Sequence, residues 1–167
     1  MDKKDRPRIK IQPTRFDIAI EVFAWMALAF LWAYVIIGYP ALPEIIPTHF
    51  GMGGKADAWG SKDSVFMGPG FATLIMLFVT FIQRKPHTFN YNEDITPENA
   101  ERQYTLMVRM LRVLKACIGL LFILIEYTTG AAAIEDDTVD SKWLFLGVFL
   151  LIQLPAFYFL TKALNKK

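Results

Sequence analysis

Three long uncharged stretches constrain this chain more than any other feature of its sequence. They cover residues 22–43, 64–83 and 143–161, and Phe, Leu, Ile, Val and Ala dominate them. A helix needs about 20 mainly apolar residues to cross the hydrocarbon core of a bilayer. Each stretch is close to that length, so the sequence predicts membrane-spanning helices. The hydrophobic share of 54% in 167 residues agrees, and this length fits a single domain.

A fourth apolar block is interrupted by one acidic residue. Residues 116–125 are apolar, Glu126 follows, and residues 127–134 are again without charge. We interpret this block as a fourth membrane helix that carries one buried or half-buried acid. The resulting fold class is an all-α membrane protein, a single domain over residues 1–167. Its predicted spans are 18–39, 64–83, 108–134 and 143–162.

The positive charges are distributed unevenly between the predicted loops. Most of the 18 Lys and Arg residues lie in the N-terminal tail, in residues 84–115 and at the C-terminus. The exceptions are Lys55, Lys62 and Lys142. Because loops rich in Lys and Arg remain in the cytoplasm, both termini and the connector 84–105 are predicted to be cytoplasmic. The loop 40–63 then faces outward from a bacterial cytoplasmic (inner) membrane.

Charge and cysteine content narrow the classes of partner. The formal net charge of +2 gives no reason to expect a nucleic-acid partner. Cys117 is the one cysteine of the sequence, so no disulfide forms within the chain. We expect membrane lipids as partners, no cofactor and no bound metal, and we leave open a homo-oligomer.

The loop between the first two predicted spans is predicted to form a β-hairpin. Residues 47–50 (PTHF) and 55–59 (KADAW) flank a glycine-rich turn, a pattern typical of two short strands. A five-residue turn would place His49 opposite Asp57, whereas a four-residue turn would place Thr48 there. The residues expected to shape this loop are Pro43, Pro47, Phe50, Gly54 and Gly60.

Two interpretations of this loop remain open. It is either a folded cap over the outer end of the helices or an outward-facing binding site. The candidate ligand-binding residues are His49, Asp57, Trp59, Lys62 and Glu126. One His and one Asp are too few for a zinc site, which needs three or four protein ligands. A His–Asp pair without an identified nucleophile is also a weak sign of an enzyme.

Two acids lie inside the predicted spans. Glu21 is at a depth similar to that of Arg112 and Lys115, which favours an intramembrane ion pair over a proton or ion relay. Glu126 lies eleven residues after Lys115, about 16 Å further along a helix. That places Glu126 in the outer half of the bilayer, either as an interfacial acid or as a functional one. Lys55 and Lys62 are its candidate partners.

The third predicted span continues from a polar, basic helix. Thr96 and Pro97 are favourable at the start of a helix. The residues that follow alternate an apolar stripe with Arg109, Arg112 and Lys115, which is typical of an amphipathic helix at a membrane surface. No break separates this part from the apolar part. One long helix with an amphipathic cytoplasmic extension is therefore predicted.

The loop sequence LPEIIPTHFGMGGKADAWGSK closely resembles the signature of the bacterial domain-of-unknown-function 1648 membrane family. The stretch ITPENAERQY, residues 95–104, is also similar to a segment of family members. The family includes the immunity membrane proteins of the sporulation-delaying toxin system. The resemblance implies an immunity-like or signalling-like membrane protein.

Three classes of function follow from these observations. The first is the binding or sensing of an extracellular peptide or small ligand, with a cytoplasmic regulator as a possible partner. The second is a small ion-coupled transporter or channel that uses Glu21 or Glu126. The third is a membrane enzyme that uses His49 and Asp57, and a protein without enzymatic activity is favoured over it.

Overall fold

The computed structural model describes residues 3–51, 55–135 and 141–164. Within these ranges the chain is mostly helical, with one two-stranded antiparallel sheet, which confirms the prediction of a helical protein with a small hairpin. The α-helices are α1 (Arg15–Gly38), α2 (Met67–Ile82), α3 (Ala100–Glu135) and α4 (Ser141–Leu164). The strands are β1 (Ile45–Phe50) and β2 (Ala56–Ser61).

Helix α3 is the centre of the bundle, because α1, α2 and α4 all pack against it. The main core lies between α1, α2 and α3 and consists of small and aliphatic side chains. Its members are Ala24, Leu28, Leu31, Ala72, Met76, Ala116 and Ile118. Gly119 allows α1 and α3 to approach closely, since a Cβ at that position would lie 2.9 Å from the Cβ of Ala27. Small residues at such contacts are characteristic of helices packed in a membrane.

The outer faces of the helices are strongly apolar. Met26 and Phe30 on α1 and Leu74 and Phe78 on α2 are more than half exposed. Soluble monomers seldom expose a continuous apolar surface of this kind. Two segments, Arg15–Ala41 and Lys62–Ile82, are long and apolar enough to cross a membrane. The four predicted spans are not confirmed by this finding.

The hairpin has an irregular register. Gly51 donates its backbone N–H to the Lys55 carbonyl at 2.9 Å, which closes the turn predicted for residues 51–55. His49 lies opposite Ala58, however, so neither of the two predicted registers is correct. The pairing shifts on both sides of His49, and Asp57 has no Cα partner across the sheet. An irregularity of this type redirects side chains, which explains how Asp57 reaches His49 without lying opposite it.

The hairpin is anchored on the bundle at one end, which we call the hairpin end. Ile46 of β1 is fully buried and packs with Val35 of α1 and Val65, next to Ala133 of α3. Pro47 is also buried, Phe50 is half-buried, and Pro43 is exposed. Gly60 pairs with Ile46 across the sheet. Gly54 lies outside the described residues.

The opposite end, which we call the tail end, is formed by residues 3–14, the connector and the first turns of α3. In the structure the connector is residues 83–99, because α2 ends at Ile82 and α3 begins at Ala100. The Arg6 guanidinium donates to the Phe89 carbonyl at 2.6 Å, and the Tyr104 hydroxyl donates to the Pro7 carbonyl at 3.1 Å. A small core of Ile95, Ala100 and Tyr104 lies beneath these contacts. The N-terminal tail is therefore folded onto the start of α3.

Candidate functional site

The hairpin presents a His–Asp pair to solvent. The Nδ1 atom of His49 lies 2.5 Å from Oδ1 of Asp57, and their side chains are 68% and 53% exposed. Because a carboxylate only accepts hydrogen bonds, Nδ1 carries the proton in a neutral His49. The Nε2 atom is then an acceptor that faces outward and is available to a ligand. Trp59 on β2 is 53% exposed and adds an aromatic face to the same hairpin.

Lys62 and Glu44 join the two ends of the hairpin. The Lys62 Nζ atom donates to Glu44 Oε1 at 2.8 Å, and its backbone N–H donates to the Glu44 carbonyl at 3.0 Å. The ammonium also lies 5.1 Å from the centre of the Tyr39 ring. These contacts hold the Lys62 side chain at the base of the hairpin, and it does not contact Glu126. This arrangement holds the strands in place beside the exposed His–Asp pair.

A second group of polar residues crosses the bundle near the tail end. We call it the charge cluster, and it consists of Asp17 and Glu21 on α1 and Arg109, Arg112 and Lys115 on α3. Asp17 is 2% exposed and accepts from Arg109 Nε at 2.8 Å. Lys115 is fully buried, donates to Glu21, and also donates to Thr80 of α2 at 2.9 Å.

The charge cluster joins three helices. Arg112 lies 3.5 Å from Glu21 Oε2, and Trp25 donates its ring N–H to Glu21 at 3.0 Å. Every formal charge in the cluster thus has an opposite charge beside it, which lowers the cost of burial. Such a cluster fixes α1, α2 and α3 relative to one another.

The sequence prediction named Glu21, Arg112 and Lys115 but missed Asp17 as a member of the cluster. In the structure Thr14 is the N-cap, and Asp17 forms a capping box with it while also contacting Arg109. The spacing T-x-x-D at residues 14–17 was the available signal, because it places Asp17 on the first turn of α1, one turn before Glu21.

Glu126 is buried in the last third of α3, and it has no partner among the described residues. It is 5% exposed, and within residues 3–51, 55–135 and 141–164 its carboxyl group has no hydrogen bond or ion pair. The carboxyl group packs on Gly68 of α2, where an added Cβ would lie only 1.9 Å from Glu126 Oε1. Neither candidate partner, Lys55 or Lys62, contacts it. The hairpin residues and Glu126 therefore do not form one site.

No group of three or more His, Cys, Asp or Glu side chains that would suit a metal ion occurs among the described residues. The same part of the chain contains no hydroxyl or thiol group that hydrogen-bonds to His49. The hairpin thus presents an exposed imidazole that is hydrogen-bonded to a carboxylate, without a neighbouring nucleophile among the described residues.

Comparisons with known proteins find similarity over part of the chain. Residues 22–73 match the family model described as "Domain of unknown function (DUF1648)". An uncharacterized protein of the archaeon Archaeoglobus fulgidus is 38% identical over 73 residues, which cover 39% of this chain. The chain spans about 40% of the length of this curated relative. No solved structure matches the chain.

These findings support the family that the sequence suggested, but they do not support its bacterial origin or its relation to immunity proteins. The matched segment contains most of α1, the whole hairpin and the first turns of α2. It therefore includes His49, Asp57, Trp59 and Lys62, whereas Glu126 and the basic residues of α3 lie outside it. The similarity to the family described as "Domain of unknown function (DUF1648)" thus covers residues 22–73, which is less than a third of the chain.

Proposed function

We propose that this protein is an integral membrane protein whose hairpin binds an extracellular peptide or small ligand. All four helices would span the bilayer, with both termini in the cytoplasm and the hairpin outside. The apolar outer faces of α1, α2 and α4 support this arrangement, since hydrocarbon is the solvent that such faces require. The concentration of Lys and Arg at the tail end supports the orientation.

The observation that carries the binding proposal is the exposure of Trp59 on an anchored hairpin. Trp is among the residues most enriched at the energetic centres of binding interfaces. Ile46 and the Lys62–Glu44 ion pair hold the hairpin on the bundle, so little conformational entropy would be lost on binding. His49 on the paired strand, opposite Ala58, would supply a hydrogen-bond acceptor.

Helix α3 provides a route from the ligand to the cytoplasm. It has 36 residues, about 54 Å of helix at the usual rise per residue, and it is continuous. Ala133 packs near the hairpin, and Tyr104 packs on the N-terminal tail. A small displacement of the hairpin would therefore be transmitted to the tail end, where a cytoplasmic regulator or lipid head groups would meet basic side chains. Signalling of this type agrees with the immunity-like role that the family resemblance implies.

The experiment that tests this proposal compares what co-purifies with the full chain and with two hairpin variants. Wild type, His49→Ala and Trp59→Ala are extracted in mild detergent, and bound peptides, lipids and small molecules are identified by mass spectrometry. Lys55→Ala is the matched control, because Lys55 is exposed on the same hairpin. We expect a molecule that is retained by wild type and Lys55→Ala and lost from both other variants.

If His49→Ala and Trp59→Ala retain the same molecules as wild type and differ only in thermal stability, the hairpin is a structural cap. In that case the binding proposal is wrong, although the fold of the hairpin is unaffected.

A second candidate function is ion-coupled transport, and the observation that favours it is the buried carboxyl group of Glu126, which has no partner in the part of the chain that the structure describes. Ionisable groups at such depth are costly and often mark the pathway of an ion. The test is uptake of protons or Na⁺ by proteoliposomes that contain wild type or Glu126→Gln. A transporter would lose its flux with Glu126→Gln, whereas flux that is absent from wild type, or equal in both proteins, would exclude this function.

A further inference from the structure

The tail end contains a cavity that is separate from the hairpin, the charge cluster and Glu126. Its volume is about 240 Å³, and it lies between the connector, α3 and the last turns of α4. At about 30 Å³ for each water molecule in the liquid, this equals the volume of roughly eight waters. The cavity is therefore too small for a whole membrane lipid and large enough for a head group with its first carbons, or for a short amphiphile.

The lining of the cavity has two chemically different sides. Asn90, Asn92 and Glu93 of the connector are polar, whereas Met107, Met110 and Phe159 of α3 and α4 are apolar. Methionine side chains adapt their shape to varied apolar ligands. A cavity that is polar on one side and apolar on the other fits a ligand with a polar head and an alkyl chain.

The polar side also discriminates between head groups. Among the described residues that line the cavity, Glu93 is the charged one, and its carboxylate accepts a hydrogen bond from the buried amide of Gln103. A carboxylate has lone pairs for more than one donor. An ammonium head would satisfy the remaining acceptor capacity, whereas a carboxylate head would be repelled.

We propose that this cavity binds the head and first carbons of an amphiphile that carries an ammonium group. The ammonium group donates to Glu93, and the alkyl chain lies along Met107, Met110 and Phe159. This inference is independent of the proposed function, because it uses neither the hairpin nor Glu126.

The test uses the full chain in phosphatidylcholine nanodiscs and an octylamine that carries a photoreactive diazirine at the far end of its chain. Adducts are located by mass spectrometry of the digested protein. Octylammonium, octanol and octanoate, which share one chain length, are then compared as competitors. We expect adducts on α3 near residues 106–110 or on α4 near residues 159–163. Octylammonium should compete at least about tenfold better than octanoate, because a charge-assisted hydrogen bond is gained.

Two variants and their controls make the assignment specific. Glu93→Gln should reduce the preference for ammonium to within about twofold, while Glu101→Gln, an exposed acid outside the cavity, should leave it unchanged. Met107→Trp should fill the apolar side and abolish labelling, while Leu74→Trp on the outer face of α2 should not. If Met107→Trp does not fold, Glu93→Gln alone decides the question.

The proposal is wrong if adducts are spread over the outer faces of the helices. It is equally wrong if octanoate competes as well as octylammonium does, or if Glu93→Gln retains the full preference for ammonium.

Discussion

Lys115 is a fully buried lysine whose ammonium group contacts Glu21 and Thr80, beneath the ring of Trp25. Removing one partner of a buried ion pair leaves the other charge unpaired, and this typically costs about 3–5 kcal/mol. Replacing both partners costs much less. In the charge cluster, however, Glu21 also lies beside Arg112, so the removal of Lys115 still leaves Glu21 with one charged partner.

We predict that Lys115→Met lowers the free energy of unfolding by about 1.5–3 kcal/mol, because Glu21 loses the charge-assisted hydrogen bond from the ammonium group while Arg112 remains beside it. The double variant Lys115→Met/Glu21→Gln should lose less than the sum of the losses in Lys115→Met and Glu21→Gln. Denaturation in mixed detergent micelles measures all three variants. Additive losses in the double variant would show that the two residues are not energetically coupled.

Cys117 has a specific partner that depends on a proline in another helix. Pro155 has no N–H group, so the Leu151 carbonyl, four residues earlier in α4, lacks its usual intrahelical donor. The Cys117 thiol donates to this carbonyl at 3.2 Å. Cysteine thus satisfies a backbone group that the proline leaves free.

We predict that Cys117→Ala lowers the free energy of unfolding by roughly 0.5–1.5 kcal/mol, while Cys117→Ser retains the hydrogen bond and costs less. In a Pro155→Ala background the carbonyl regains its intrahelical donor, so Cys117→Ala should then have a smaller effect. Equal losses in both backgrounds would contradict the role that we assign to the thiol.

Tyr91 at the tail end should titrate unusually. Burial raises the pKa of its hydroxyl above the ordinary value near 10, and Tyr104 beside it adds to the rise. Because the pKa is higher in the folded state, the stabilisation is present below pH 10 and is lost as the pH rises above that value. Arg6, whose guanidinium lies 5.6 Å from the centre of the Tyr91 ring, opposes this rise, because its positive charge favours the phenolate.

We predict that the tyrosinate absorbance assigned by Tyr91→Phe appears well above pH 10, the ordinary range for tyrosine. Susceptibility of the N-terminal tail to proteolysis should increase together with the ionisation of Tyr91. Titration of Tyr91 near pH 10 would show that the tail end does not bury this hydroxyl in solution.

At the scale of elements, the contact between α1 and α3 depends on small residues. Gly119 faces Ala27, and Ala24 and Ala116 belong to the same core. In a membrane the association of helices relies on close packing, since lipid chains are as apolar as leucine. A larger side chain at residue 119 would therefore push α1 away from α3 and strain the charge cluster.

We predict that Gly119→Leu destabilises the bundle by about 1–3 kcal/mol, the usual cost of overpacking. Gly147→Leu is the matched control, because Gly147 is exposed on α4 and a Cβ there meets no atom within 4 Å. Both variants gain the same helix propensity, so their difference in unfolding free energy measures packing. Equal stability of the two variants would show that α1 and α3 separate without cost.

At the scale of the whole molecule, the hairpin and the tail end lie at opposite ends of one 36-residue helix. If α3 spans the bilayer, these ends face different compartments. The proposed functions require this, because an external ligand must reach the hairpin while the basic residues remain inside.

We predict that Lys55→Cys is labelled by a membrane-impermeant maleimide from outside intact cells, whereas Glu101→Cys is labelled only after the membrane is opened. Both variants are made in a Cys117→Ser background, so that each protein contains one thiol. Labelling of Lys55→Cys only from the cytosolic side would reverse the proposed orientation. Labelling of both positions from outside would exclude a spanning α3.

The sequence by itself determined the helical character, the hairpin and the long third helix, because these depend on local information. Runs of apolar residues, prolines and glycines act over short distances along the chain. It also placed Glu21 and Lys115 at the same depth, and the structure brings them into contact.

Only the tertiary structure decided the register at His49, the inclusion of Asp17 in the charge cluster and the isolation of Glu126. The register depends on an irregularity in the strand pairing, which the length of the turn does not specify. The positions of Asp17 and Glu126 depend on contacts between residues far apart in the sequence and on the rotation of each helix about its axis. Spacing along the chain does not specify these contacts or rotations, because the packing of neighbouring helices sets them. The cavity beside Glu93 arises for the same reason, where the connector, α3 and α4 meet.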